Sequence, residues 1–127
     1  MKKLLIIILF IFSSNSLAVE ENTNFTHEIF KKAQAENKII VINSWNEFCL
    51  TCKKQIKILD QAKDKFKDII FLSYEQTENK AIADILSIDY WTTIVIYKGK
   101  TEAYRSMGVT KKKDLYLAIE EVLKDKV

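Results

Sequence analysis

The segment KIIVINSWNEFCLTCK, residues 38–53, constrains this chain more than any other. It opens with a β-branched apolar run of the kind that forms a strand buried on both faces. Beyond it, Cys52, Ile56, Leu59, Ala62 or Lys63, and Phe66 recur every three or four residues. That spacing predicts one face of a long helix starting at or just after Cys49. Cys49 and Cys52 are the two cysteines of the chain, and they fall where the strand hands over to the helix. At such a junction unpaired N–H groups and the helix dipole favour an anion, so a thiolate placed there has a lowered pKa. Cys49 is expected at the helix mouth, exposed, and Cys52 one turn in, shielded. That asymmetry suits thiol–disulfide exchange, in which an outer thiolate attacks and an inner thiol resolves the mixed disulfide.

Other uses of two thiols stay open at this point. The pair can be a structural staple or incidental. Structural zinc wants four ligands, and the chain offers two cysteines and one histidine, His27, on the first predicted helix. Two thiolates also suit a soft ion, so a copper(I)-binding module is a distinct alternative. A scaffold that never turns over is another, and in it Cys49→Ser changes nothing.

The beginning of the chain bears on the redox setting. Lys2 and Lys3 precede an unbroken apolar run, Leu4 to Phe12, followed by polar Ser13 to Ser16. Ser16 and Ala18 put small residues at the −3 and −1 positions of a cut after Ala18. This is the layout of a secretory signal peptide. The apolar run falls short of the roughly 20 residues a spanning helix needs. Residues 1–18 are therefore expected to be a leader and 19–127 a single domain that is periplasmic or secreted and does not span the membrane. Outside the cytosol a cysteine pair tends to be oxidised. Removing Lys2 and Lys3 with the leader lowers the formal net charge from +3 to +1. A near-neutral domain gives no electrostatic case for nucleic acid, and the run Lys111–Lys113 reads as a solvated helix start.

The rest of the chain alternates in type. Phe25, Ile29, Phe30 and Ala33 mark a first helix, with Thr23 or Thr26 as its cap. Ile69 to Tyr74 reads as a second strand, and NKAIADILS as a short helix using Ile82, Ile85 and Leu86. TTIVIYK and TEAYRS, separated at Gly99, read as an antiparallel hairpin. After Gly108, Thr110 is expected to cap a last helix with Leu115, Ile119, Val122 and Leu123 inward. Alternating strands and helices closed by a hairpin predict an α/β fold with a central mixed four-stranded sheet flanked by helices. There is no proline anywhere.

On these residues the chain resembles the thioredoxin superfamily. VINSWNEFCLTCK looks like that family's strand–aromatic–CxxC–Lys segment, with Trp45 on the tryptophan four before the first cysteine and Lys53 on the lysine after the second. SIDYWTTIVIYKGK looks like the segment around the family's cis-proline loop, and Gly99 and Gly108 lie near its two late glycines. The resemblance implies a thioredoxin-like fold and a thiol–disulfide oxidoreductase, with Cys49 the nucleophile and Cys52 the resolving thiol. Protein thiols or disulfides, or a membrane electron donor or acceptor, are the implied partners. Phe48, Trp91 and Thr92 are the implied partner-facing residues, supported by Trp45 and Asn43. No organic cofactor is called for, since the cysteine pair is itself the redox centre. Similar exported domains act as reductases, oxidases or electron relays.

Three departures from the family pattern stand out. The cis-proline falls on Thr92, where a cis bond costs about 2.5–4 kcal/mol, so a trans bond is expected. The family's buried acid falls on Asn43, which cannot take a proton from Cys52; it is expected to be a satisfied polar group beneath the site. Leu50 and Thr51, between the cysteines, bring no charge to shift Cys49.

Overall fold

A computed structural model describes residues 23–125. The expected leader, residues 1–18, lies outside the described residues. The chain order is α1 (His27–Ala35), β1 (Ile39–Trp45), α2 (Leu50–Lys65), β2 (Ile70–Glu75), α3 (Lys80–Leu86), β3 (Thr93–Lys98), β4 (Thr101–Met107) and α4 (Lys112–Lys124). The strands form one sheet in the order β2-β1-β3-β4. β1 and β2 are parallel, whereas β1–β3 and β3–β4 are antiparallel. The sheet is therefore mixed, as the order of elements predicts.

The two faces of the sheet follow from alternation along the strands. Ile40 and Ile42 of β1 and Val95 of β3 pack with Phe25, Phe30, Ala33, Ala83 and Leu86, so α1 and α3 cover one face. Val41, Ile94 and Ile96 pack with Leu59, Ala62, Leu115, Ala118, Ile119 and Val122, so α2 and α4 cover the other. β1 and β3 are central and covered on both sides, which is why Ile39–Ile42 and Ile94–Tyr97 are unbroken apolar runs. At Gly99 the hairpin needs φ of +57°, and a Cβ there would collide with Asn37 Oδ1.

Thr26 caps α1, its hydroxyl accepting from the Ile29 N–H at 3.1 Å. Thr23 instead accepts from the Glu75 N–H at 3.0 Å. With the backbone N–H groups of Asn24 and Phe25 donating to Ser73 O, it straps the start of the described chain along the outer edge of β2. Asn24 lengthens this strap by mimicking a peptide: Oδ1 accepts from the Ser73 N–H at 2.6 Å and Nδ2 donates to Phe71 O at 3.3 Å. At the opposite edge, Arg105 of β4 forms a two-pronged pair with Glu102 and donates to the carbonyls of Leu86 and Ser87 at the end of α3.

Some expected positions differ. Thr110 does not cap α4; Lys111 takes the N-cap position and gives no side-chain bond. Ile29, Ile85 and Leu123 are exposed, not inward. Each lies at the margin of its helix's apolar stripe, where spacing alone does not decide between core and water.

Candidate active site

The site is assembled where β1 ends. Asn46 reverses the chain: its carbonyl accepts from the Cys49 N–H at 3.1 Å, and its Oδ1 accepts from the Phe48 N–H at 3.1 Å. This delivers Cys49 to the N-cap position of α2 in extended conformation. Its Sγ accepts the Cys52 N–H at 3.1 Å, taking the place of the oxygen that usually caps a helix. The first turn of α2 holds no acidic residue to oppose a negative charge there.

Cys49 and Cys52 form a disulfide with their Cα atoms 5.2 Å apart. Cys49 is half-buried, whereas Cys52 is 1% exposed. Cys49, expected to be exposed, is only partly so, and Cys52 is the more shielded of the two, as expected. Phe48, the residue before Cys49, is 85% exposed. Leu50, Tyr90, Trp91 and Met107 are exposed as well.

Thr92 closes the loop between α3 and β3. Its peptide bonds are trans, as are all those described, and its φ is +69°. A β-branched residue seldom adopts that left-handed region. Three hydrogen bonds hold it there. Its N–H donates to Ser44 O at 3.0 Å, and its carbonyl accepts from the Gly108 N–H at 2.9 Å and from Gln55 Nε2 at 3.0 Å. Ser44 Oγ and Thr93 Oγ1 both donate to the Tyr90 carbonyl, fixing the preceding turn. Thr92 thus spends both backbone polar groups inside the protein.

Asn43 is buried and sits opposite Ile94 of β3. Opposed residues share a face, so Asn43 faces α2, as Ile94 does. The structure corrects the expectation of a satisfied amide: Asn43 Nδ2 has no protein partner. Trp45 is 6% exposed and its Nε1 also lacks a partner. Gln55, fully buried, uses Nε2 for Thr92 O and Val109 O while its Oε1 is left without one.

Gln55 and Glu75 are buried polar residues of the site that no motif in the sequence marks. The signal for Gln55 is its place in the inward series Cys52, Gln55, Leu59, Ala62, where a polar residue calls for a buried partner. Glu75 gives no such signal; it ends β2 and is buried among neutral donors, Asn46 Nδ2, Thr77 Oγ1 and the Glu78 N–H.

Four helices around this sheet, with a cysteine pair at the β1–α2 junction, define a thioredoxin-type redox domain. The Thioredoxin family model matches residues 16–121, and the chain belongs to that family. Thioredoxin H-type 1 of Nicotiana tabacum is 28% identical over 85 residues, 67% of this chain and 68% of that protein. Among solved structures, Trxlp from Edwardsiella tarda EIB202 superposes with a TM-score of 0.69 at 22% identity, covering 72% of this chain and 90% of the other. Oxidised thioredoxin O2 from Arabidopsis thaliana gives 0.68 at 17% identity, covering 76% and 85%. NaTrxh from Nicotiana alata gives 0.69 at 22% identity, covering 84% and 90%. The structural likenesses establish the fold. Family membership together with the cysteine pair makes this a thiol–disulfide oxidoreductase.

Proposed function

We propose that the protein exchanges disulfides with protein partners in the periplasm or another extracytoplasmic space, through Cys49 and Cys52. The observation that carries this reading is the unequal pair: a half-buried Sγ at the helix mouth accepting a helix N–H, and a second sulfur 1% exposed beneath it. In the reduced form that N–H and the dipole favour the Cys49 thiolate. The thiolate attacks a partner disulfide, forming one S–S bond and expelling one partner thiolate. Cys52 then loses its proton and attacks Cys49 Sγ, closing the Cys49–Cys52 disulfide and releasing the second partner thiol. The reverse sequence oxidises a partner dithiol. The direction follows from the pair's potential against that of its compartment, where about 30 mV equals about 1.4 kcal/mol.

Phe48, Trp91 and Thr92 form the partner-facing surface. Thr92 stands in the family's cis-proline position and supplies shape without a backbone bond to the partner, since its N–H and carbonyl are already engaged. The leader, residues 1–18, is removed to give a domain beginning at Val19. No described helix is long and apolar enough to cross a membrane. Copper(I) carriage would use the same two sulfurs; no group of three or more potential ligands lies among the described residues.

Limiting alkylation of the reduced protein at neutral pH tests the assignment, with Cys49 expected to label first. The Cys52→Ser variant should trap partners as mixed disulfides on Cys49. Labelling of Cys52 first, or no covalent partner on the variant, overturns the reading. The mass of the exported protein checks the start at Val19.

A further inference from the structure

The Trp91 side chain is exposed, while the backbone on either side of it is gripped from within. Antiparallel pairing of β1 with β3, with Asn43 opposite Ile94, brings Ser44 beside the start of β3. That is the end of the sheet where β1 hands over to Cys49. Ser44 is fully buried, yet it bonds to both neighbours of Trp91. Its Oγ donates to the Tyr90 carbonyl at 2.9 Å, and its own carbonyl accepts from the Thr92 N–H at 3.0 Å. Buried Thr93 adds a second donor to the same Tyr90 carbonyl, through Oγ1 at 2.8 Å.

The hold exceeds what satisfying the loop requires. One donor satisfies a carbonyl, whereas Tyr90 receives two, both from buried hydroxyls. Upstream, Gln76 Nε2 donates to the Ile88 carbonyl at 2.8 Å, while Gln76 Oε1 accepts from the hydroxyl of Tyr74 at 2.8 Å. Downstream, Gln55, one turn beyond Cys52, fastens the Thr92 carbonyl. The carbonyls of residues 88, 90 and 92 are thus all bound by interior side chains. The side chains of Tyr90 and Trp91 are left outside. An aromatic residue on a fixed backbone loses little freedom when a partner covers it, and tryptophan is a residue on which binding energy concentrates.

We propose that Ser44 and Thr93 are positioning residues for exchange. By fixing Trp91 in one pose, they set a preference for disulfides carried by polypeptides over small disulfides. The inference rests on the exchange reading and on Trp91 as a partner-facing residue, and it names the groups that act through that indole. A polypeptide disulfide brought to Cys49 covers Trp91 as well; a small disulfide reaches the sulfur without it. With both hydroxyls removed, the Tyr90 carbonyl is released and Trp91 samples other orientations. Affinity for a polypeptide then falls with the fraction of molecules holding the competent pose.

The test compares insulin with hydroxyethyl disulfide, each in excess over the reduced protein. Second-order rate constants for oxidation of the cysteine pair are measured for both. The readout is the insulin-to-hydroxyethyl ratio, so that any change in the reactivity of Cys49 itself cancels. In Ser44→Ala/Thr93→Val the ratio should fall about threefold to tenfold. Ser44→Ala/Thr93→Ser, which returns one hydroxyl, should regain most of it. Trp91→Ala should show a fall of the same size, and adding it to the double variant should lower the ratio no further, because both changes act on one indole. An unchanged ratio in the double variant or in Trp91→Ala, no recovery with Thr93→Ser, or losses that multiply on combination overturns the proposal and leaves exchange standing. Should circular dichroism show the double variant unfolded, Thr93→Val alone carries the same readout, with a loss of about twofold expected and an unchanged ratio overturning the proposal. If neither insulin nor hydroxyethyl disulfide oxidises the reduced protein, the exchange reading fails and takes this proposal with it.

Discussion

Gln55 holds Thr92 in place. Buried on α2 one turn beyond Cys52, it donates Nε2 to the Thr92 carbonyl at 3.0 Å and to the Val109 carbonyl at 3.0 Å. One amide thus ties the helix that carries both sulfurs to the two loops flanking β3 and β4. Replacing it with leucine orphans the Val109 carbonyl and loosens that of Thr92. Gln55→Leu should destabilise the fold by about 1–3 kcal/mol, seen as a lower midpoint in urea. An unchanged midpoint would make the clamp incidental.

Thr92 carries a φ of +69°, a conformation costing about 1–2 kcal/mol for a residue with a Cβ. Thr92→Gly removes that cost and adds about 0.5–1 kcal/mol of chain entropy. It should be neutral to slightly stabilising. Thr92→Pro is the opposite case. Proline locks φ near −65° and has no N–H for the Ser44 carbonyl, so the variant should fall below the parent by more than about 1 kcal/mol. Chemical denaturation should rank the midpoints glycine at or above threonine, then proline; a proline variant as stable as the parent would refute the loop geometry.

Asn43 faces α2 with an unpartnered amide. An aspartate there would be desolvated, its pKa raised above the ordinary carboxylate range. With a raised pKa in the fold, stability relative to the parent is full at low pH and is lost as pH rises, because the unfolded chain ionises first. Ionised, the carboxylate can take the Cys52 proton. Resolution of a mixed disulfide should therefore speed up with pH in Asn43→Asp, by up to about 100-fold. A stopped-flow pH profile that parallels the parent's would show that position 43 does not reach the Cys52 proton.

Hydrogen bonds from Arg105 hold the Glu102 carboxyl below its usual range, with burial opposing and the arginine's charge adding to the effect. A depressed acid stabilises the fold above its unfolded pKa, ordinarily 4.5, and that contribution is lost as pH falls through the lower folded value. Glu102→Gln should flatten the acid side of a stability-versus-pH curve below about pH 4.5. The amplitude should stay under about 1 kcal/mol, because water screens a half-exposed pair. Parallel curves for variant and parent would show that the pair is not linked to folding.

The order of elements and the cysteine junction were legible because both are written in short-range patterns. Ile39 to Ile42 is an unbroken apolar run because both faces of β1 are covered, and Cys49 directly precedes its helix. What the sequence did not show depends on distant partners. Thr92 takes its conformation from Ser44 and Gln55, 48 and 37 positions away in the chain. Gln55 stands within an inward series, where a glutamine announces a buried bond. Asn43 looked satisfied because buried amides usually are, and its missing partner emerges only from three-dimensional packing. Thr110 is the better cap by residue type, yet the helix starts one residue later, behind Lys111.

The two borders of the sheet are guarded unequally, and this bears on how the protein behaves at high concentration. Along β2, Thr23, Asn24 and Phe25 occupy the backbone groups that a second molecule would otherwise pair with. Along β4, no covering strand is described; the Glu102–Arg105 charges and the irregular register at Ile96/Tyr97 do the guarding, and such devices discourage strand-to-strand stacking. With no proline available to blunt either border, protection rests on three residues along β2 and on one ion pair and one register irregularity along β4. Trimming through Asn24 should turn a monodisperse solution into one that grows β-rich oligomers by light scattering, even though every residue of the redox centre is left in place.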